Sequence, residues 1–218
     1  MSTVIVILGA YLIGTIPYGL LIPKFFGIAD IRQHGSGNVG ATNAWRVAGP
    51  LAGLIVTFFD ICKGVVAVLL AGLVANGPLS PELLRLLSGF SAIIGHIFPF
   101  YLNFRGGKGV NTALGVMITL LPLEALAGLG VFIIIVTITK YISFGSLLAA
   151  MTFFLTVLVR WYFKWSDINI AYVITAGLLN ILIIIAHRSN IKRLLKGNEN
   201  KFSLHSKKAD EKEVRQHV

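Results

Sequence analysis

V-N-T-A-L-G-V-M-I-T-L-L-P-L-E-A-L-A-G-L-G-V-F-I-I-I-V-T-I-T, residues Val110 to Thr139, decides the fold. One membrane-spanning helix needs about 20 apolar residues, and this run continues for about 30. Pro122 and Glu124 stand in its middle. Proline lacks the amide hydrogen that a helix interior requires, and its ring clashes with the preceding turn. The run therefore reads as a helical hairpin of two short arms that turns near Pro122. One long kinked helix is the alternative.

Apolar stretches flank it on both sides, from about Val4 to Ile22, Leu51 to Val74, Leu83 to Phe100, Ile142 to Val159 and Ile168 to Ala186. Each is long enough for a single spanning helix. Of the 218 residues, 56% are hydrophobic and 13% charged, too apolar for a soluble chain to bury. The expected fold is an all-α integral membrane protein of seven transmembrane helices, with one domain over residues 1–197. The stretch 198–218 is polar and rich in Lys and Glu, and reads as a disordered cytoplasmic tail. Cys62 is the only cysteine, so no intramolecular disulfide staples the fold. The first apolar run has no basic residue ahead of it and Lys24 behind it, the reverse of a signal peptide.

A formal charge of +10 suggests nucleic acid, but its distribution argues against that partner. Lys24, Arg32 and Arg46 follow the first span, Arg105 and Lys108 the third, and Lys140 the hairpin. Arg188, Lys192, Arg193 and Lys196 follow the last. Short basic loops mark the cytoplasmic side. A hairpin puts all of them there, with the N-terminus outside and the C-terminus inside. Arg160 and Lys164 then fall outside, a modest violation.

Three polar segments share that face. The first, G-S-G-N-V-G-A-T-N-A-W-R, spans Gly35 to Arg46. Its glycines let amides approach an anion, and Arg46 offers a planar fork suited to the phosphate of a substrate. A tight loop with a capped helix after it is the plainer reading. Gly35, Gly37 and Gly40 match the dinucleotide pattern, but no strand–turn–helix unit surrounds them. The second segment runs from Gly95 to Thr112, G-H-I-F-P-F-Y-L-N-F-R-G-G-K-G-V-N-T. A glycine-rich turn with a lysine, opening a helix, is a phosphate cradle. It is not a Walker loop, because Leu102 takes the place of the first glycine and Gly109 that of the Ser or Thr. His96 reads as a structural hydrogen-bonder. The third segment is split between Lys140, Ser143 and Ser146, and His187, Asn190 and Arg193. His187 and Asn190, three apart, share a helical face. A serine hydrolase is excluded by the missing G-x-S-x-G elbow and orienting carboxylate. Asp60 and Lys63, also three apart, lie within the second span and read as a mutually neutralising structural pair.

Together these segments resemble the bacterial acyl-phosphate:glycerol-3-phosphate acyltransferase family. The first resembles its G-S-G-N-x-G-A-T-N-x-x-R motif and the second its G-H-x-F-P…K-G-G-K-G-V-A-T motif. His187 to Glu199 resembles its H-x-x-N-I-x-R-L-x-x-G-x-E motif. Arg105 and Asn111 stand where the family has lysine and alanine. The resemblance implies an inner-membrane enzyme of phospholipid synthesis that transfers an acyl group from acyl phosphate to the 1-position of glycerol 3-phosphate. The products would be lysophosphatidic acid and inorganic phosphate. It implies no cofactor and no metal, with membrane lipid and the soluble enzyme that makes acyl phosphate as partners. Ser36, Arg46 and Asn190 would bind glycerol 3-phosphate. Gly106, Gly107, Lys108, Gly109, Val110, Asn111 and Thr112 would form the acyl-phosphate cradle. Lys108, His187 and Ser143 would serve catalysis, with His187 read as a hydrogen-bond donor to glycerol 3-phosphate. A transporter of a phosphorylated solute is the competing reading. It would spread polar residues through the membrane depth rather than gather them at one edge.

Overall fold

In the computed structural model, residues 2–74, 78–165 and 168–203 are described. Among them the chain is helical throughout, without strands. Proline opens three of the long helices: Pro50 begins α4 (Pro50–Gly72), Pro81 begins α5 (Pro81–Ile97) and Pro122 begins α7 (Pro122–Thr139). Its fixed φ suits the first helical turn, where no amide partner exists to lose. Ser80 and Asn169 cap α5 and α9 (Ile170–Ala186) by accepting from the amides of Leu83 and Ala171.

The first apolar run is not one helix. It breaks at Ile16–Pro17 into α1 (Ser2–Thr15) and α2 (Tyr18–Phe25). A short helix, α3 (Ala41–Ala48), precedes α4. The run from Val110 to Thr139 is likewise two helices, α6 (Val110–Leu120) and α7, divided at Leu121. Val110 and Asn111 at the start of α6 and Phe132 far along α7 line the same cavity. The chain therefore runs away from that cavity and returns, as a hairpin does. At 11 residues α6 rises only about 16 Å, about half the hydrocarbon thickness. Five segments of the described chain are long and apolar enough to cross: 3–25, 50–72, 81–102, 122–139 and 142–162, the last being α8 (Ile142–Tyr162). A sixth forms if α9 and α10 (Arg188–Leu195), bent by 61° at His187, count as one. Large apolar side chains such as Leu54, Phe58, Ile133, Ile134 and Ile138 point outward, as lipid contact requires.

Hydrocarbon gives helices no hydrophobic drive to associate, so they pack where small residues let backbones touch. A Cβ on Gly14 of α1 would lie 2.0 Å from the carbonyl oxygen of Ala92 in α5. A Cβ on Gly64 of α4 would meet the Thr112 carbonyl of α6 at 2.3 Å, and one on Gly115 the Ile61 carbonyl at 2.1 Å. These contacts lock α4 against the phosphate-type turn.

At the opposite end Arg160 of α8 pairs with Glu124, which is fully buried at the start of α7. This carboxylate compensates the Arg160 guanidinium there. The expected tail begins differently from its reading as disordered: residues 198–203 lie against the bundle. The Phe202 amide donates to Lys140 O (2.7 Å), and the Phe202 and Trp45 rings stand 5.2 Å apart. Residues 204–218 lie outside the described chain.

Candidate active site

Four helices begin around one cavity of about 260 Å³. Gly40, Ala41 and Thr42 bring the start of α3; Gly109, Val110 and Asn111 that of α6; Ile142 and Ser143 that of α8; His187 and Asn190 that of α10. The first amides of a helix have no intrahelical partner and carry the positive end of its dipole. Arg46, Lys108 and Arg193 add three full charges to the wall. Such a cavity selects an anion rich in oxygen, and phosphate above all.

Each segment is shaped to present these groups. Asn43, fully buried in α3, accepts from the Ser36 amide (2.9 Å) and donates to Ile31 O and His34 O, folding the glycine loop back on its own helix. Gly109 precedes α6 with φ of 78°, a left-handed conformation that costs a glycine little. The cradle is narrower than the sequence suggests. The Gly106 and Gly107 amides donate to Ile97 O (2.9 Å) and His96 O (3.1 Å), and neither glycine lines the cavity. Thr112 is fully buried with its hydroxyl 3.1 Å from His96 Nδ1. Lys108, Gly109, Val110 and Asn111 remain on the wall.

Ser36, Arg46, Ser143, His187 and Asn190 all line this cavity. Their hydrogen bonds restrict what each can do. His187 Nδ1 lies 2.9 Å from Ile183 O, and a carbonyl oxygen only accepts, so Nδ1 carries the hydrogen. In the neutral ring Nε2 is then an acceptor, and the donor role expected of His187 does not suit it. Asn190 donates its amide to Glu199 (2.8 Å), while its Oδ1 is buried without a hydrogen-bond partner among the described residues. Arg193 Nε donates to the other Glu199 oxygen (2.8 Å). Ser143 Oγ is also buried and without such a partner, so no serine–histidine nucleophile pair forms among the described residues. Sequence reasoning missed Asn200 and Phe202, which reach the wall through the strap at 198–203, and it read as structural Asp60 and His96, which also line the cavity. An aromatic residue in a polar tail was the one available signal.

A second cavity, of about 110 Å³, shares Val110, Asn111, Phe132 and Ser146 with the first. Its remaining lining is almost wholly apolar and comes from α6, α7, α8 and α9. A polar anion site thus opens directly onto an apolar groove.

The family model described as glycerol-3-phosphate acyltransferase matches residues 4–197. The chain belongs to this family. It is 40% identical to the glycerol-3-phosphate acyltransferase of Chlorobaculum tepidum, over 91% of this chain and 95% of that one. It is 45% identical to glycerol-3-phosphate acyltransferase 2 of Bacillus anthracis, over 88% and 95%. The fold matches the crystal structure of PlsY, an integral membrane glycerol 3-phosphate acyltransferase, in its glycerol 3-phosphate form. That match has a TM-score of 0.83 and 36% identity, covering 93% of this chain and 96% of the other. The lysophosphatidic acid form gives 0.81 and 35%, covering 94% and 97%. The chain is therefore an integral membrane acyltransferase of phospholipid synthesis.

Burial pushes the Lys108 ammonium down to about 8, with Arg193 and Arg46 acting in the same direction and Glu199 against them. Its charge is present below that pH and lost as pH rises through it. The kcat/KM for acylation of glycerol 3-phosphate should fall along a limb centred near pH 8 in the wild type. The guanidinium of a Lys108→Arg variant stays charged, so the limb should vanish even where turnover drops. Lys108→Ala should lose at least about a hundredfold in turnover. A limb unchanged in Lys108→Arg would assign it to another group.

Proposed function

We propose that the chain transfers a fatty acyl group from acyl phosphate to the 1-hydroxyl of glycerol 3-phosphate, giving lysophosphatidic acid and inorganic phosphate. The supporting observation is the junction of the two cavities. The donor has a phosphate and a long apolar chain joined at one carbonyl, and the polar and apolar walls meet at Val110, Asn111, Phe132 and Ser146. Lys108 and the first amides of α6 bind the leaving phosphate, and the acyl chain enters the groove. Ser36 and Arg46 hold the phosphate of glycerol 3-phosphate, Arg46 through its planar fork. His187 Nε2 and Asn190 Oδ1, both acceptors, take hydroxyls of the glycerol. Ser143, buried beside them, donates to the carbonyl oxygen as charge develops there.

The 1-hydroxyl oxygen attacks the acyl carbon, the carbon–oxygen bond to phosphate breaks, and inorganic phosphate departs. A phosphate oxygen, with a second pKa near about 6, takes the hydroxyl proton. With so good a leaving group, positioning and charge stabilisation carry the reaction. The purified protein should release phosphate from palmitoyl phosphate only when glycerol 3-phosphate is present, and should not use palmitoyl-CoA. Equal use of the thioester would defeat the donor assignment.

His187→Asn and His187→Gln should retain substantial activity, since an amide oxygen can accept the same hydroxyl. A loss of about a thousandfold or more in both, with glycerol 3-phosphate still bound, would make the histidine the proton acceptor.

The site lies on the cytoplasmic face of a bacterial inner membrane, with the N-terminus outside, by the bias of basic loops. It is there supplied by the soluble enzyme that makes acyl phosphate. After replacement of Cys62, a cysteine at Leu79 should be labelled by an impermeant thiol reagent added to intact cells, and one at Gly197 should not. The reverse pattern overturns the orientation.

A further inference from the structure

At the inner end of the phosphate cavity lies a buried polar cluster whose Asp60 and His96 border the lining and to which the proposed binding of substrate assigns no role. Asp60 and Lys63 of α4 are 2% and 4% exposed, and Lys63 Nζ stands 2.8 Å from Asp60 Oδ1. Mutual neutralisation explains these two residues and nothing more. The cluster goes further. The same Asp60 oxygen is 3.5 Å from Nδ1 of His96 in α5, and Thr112 of α6 is 3.1 Å from that nitrogen. Lys63 also donates to Ile16 O (3.0 Å), at the break between α1 and α2. Four parts of the bundle meet at one carboxylate and one ammonium.

His96 touches both flanks of the wall that faces the donor phosphate. On one flank its carbonyl accepts from the Gly107 amide, and its ring is so close that a Cβ on Gly107 would lie 2.1 Å from Nε2. On the other flank is Thr112, in the first turn of α6. Between Gly107 and Thr112 run Lys108, Gly109, Val110 and Asn111, the stretch that lines the cavity. An imidazole clamped at both ends of this turn sets where its amides and its ammonium point. The ring in turn faces the Asp60 carboxylate, 3.5 Å from Nδ1, whose charge Lys63 keeps tolerable in the membrane.

We propose that Asp60, with Lys63, is a positioning residue for the donor: it fixes the His96 ring and so the shape of the Lys108–Asn111 turn. This rests on the assignment of that turn to acyl phosphate. The proposal separates from a merely structural ion pair in the neutral double variant Asp60→Asn with Lys63→Met, which leaves no uncompensated charge in the membrane. Steady-state constants are measured in detergent for palmitoyl phosphate and glycerol 3-phosphate.

The double variant should raise the KM for palmitoyl phosphate about tenfold or more and leave that for glycerol 3-phosphate within about twofold. His96→Gln should show the same donor-side change, and joining it to the double variant should add little, because all three substitutions break one relay. Wild-type constants for both substrates in the double variant would overturn the proposal, as would equal changes in both. If the double variant does not fold, His96→Gln alone decides: an unchanged KM for palmitoyl phosphate overturns the proposal. Wild-type protein without turnover on palmitoyl phosphate would instead defeat the donor assignment itself.

Discussion

A backbone amide in hydrocarbon must be bonded within its own helix, so this chain can offer unpaired amides only where its helices begin. The rest of the architecture follows from that constraint. Helices α3, α6, α8 and α10 all begin at one cavity, and the chain reaches each start by a break. Gly40 before α3, Gly109 before α6, Lys140 and Tyr141 before α8, and the bend at His187 before α10 are the breaks at which these helices begin. An enzyme that acts on a phosphate compound can be built this way with few charged side chains, which a membrane bundle tolerates poorly.

Concentrating positive ends and cations has its own cost, and Glu199 offsets part of it. Its two oxygens accept from Asn190 and from Arg193. The same carboxylate therefore restrains a cation and fixes the side-chain amide of Asn190, whose carbonyl oxygen stays buried without a hydrogen-bond partner among the described residues. His187 is restricted in the same manner by Ile183 O. Two acceptor atoms thus stand oriented on a wall that elsewhere offers cations and helix-start amides. Complementarity here lies as much in which atoms are occupied as in which residues are present.

Glycine serves two purposes that should be kept apart. At Gly109 it permits a left-handed backbone. At Gly64 and Gly115 it removes side chains so that α4 and α6 touch, which is what brings Asp60 beneath the α6 turn. The same approach sets Thr112 of α6 beside the His96 ring that faces Asp60. The apolar groove between α6, α7, α8 and α9 begins where the same turn ends, so one short helix start borders both the phosphate site and the groove.

Apolar runs, the proline in the run from Val110 to Thr139, and three polar segments were enough to read a helical membrane protein, the break in that run, and Ser36, Arg46, Lys108, Ser143, His187 and Asn190 as polar groups that share one site. These are properties of composition and spacing, and the bilayer makes them decisive because it permits so few backbone arrangements. The break at Ile16–Pro17, the strap at 198–203 and the withdrawal of Gly106 and Gly107 from the wall were not legible there. Each depends on a partner distant in sequence: Lys63 for Ile16, Trp45 and Lys140 for Phe202, and the carbonyls of His96 and Ile97 for the two glycines. Sequence alone determined which groups this protein has and at which helix ends they fall. Only the tertiary structure decided which of their atoms are already engaged, because a hydrogen bond made to another helix leaves no trace in local spacing.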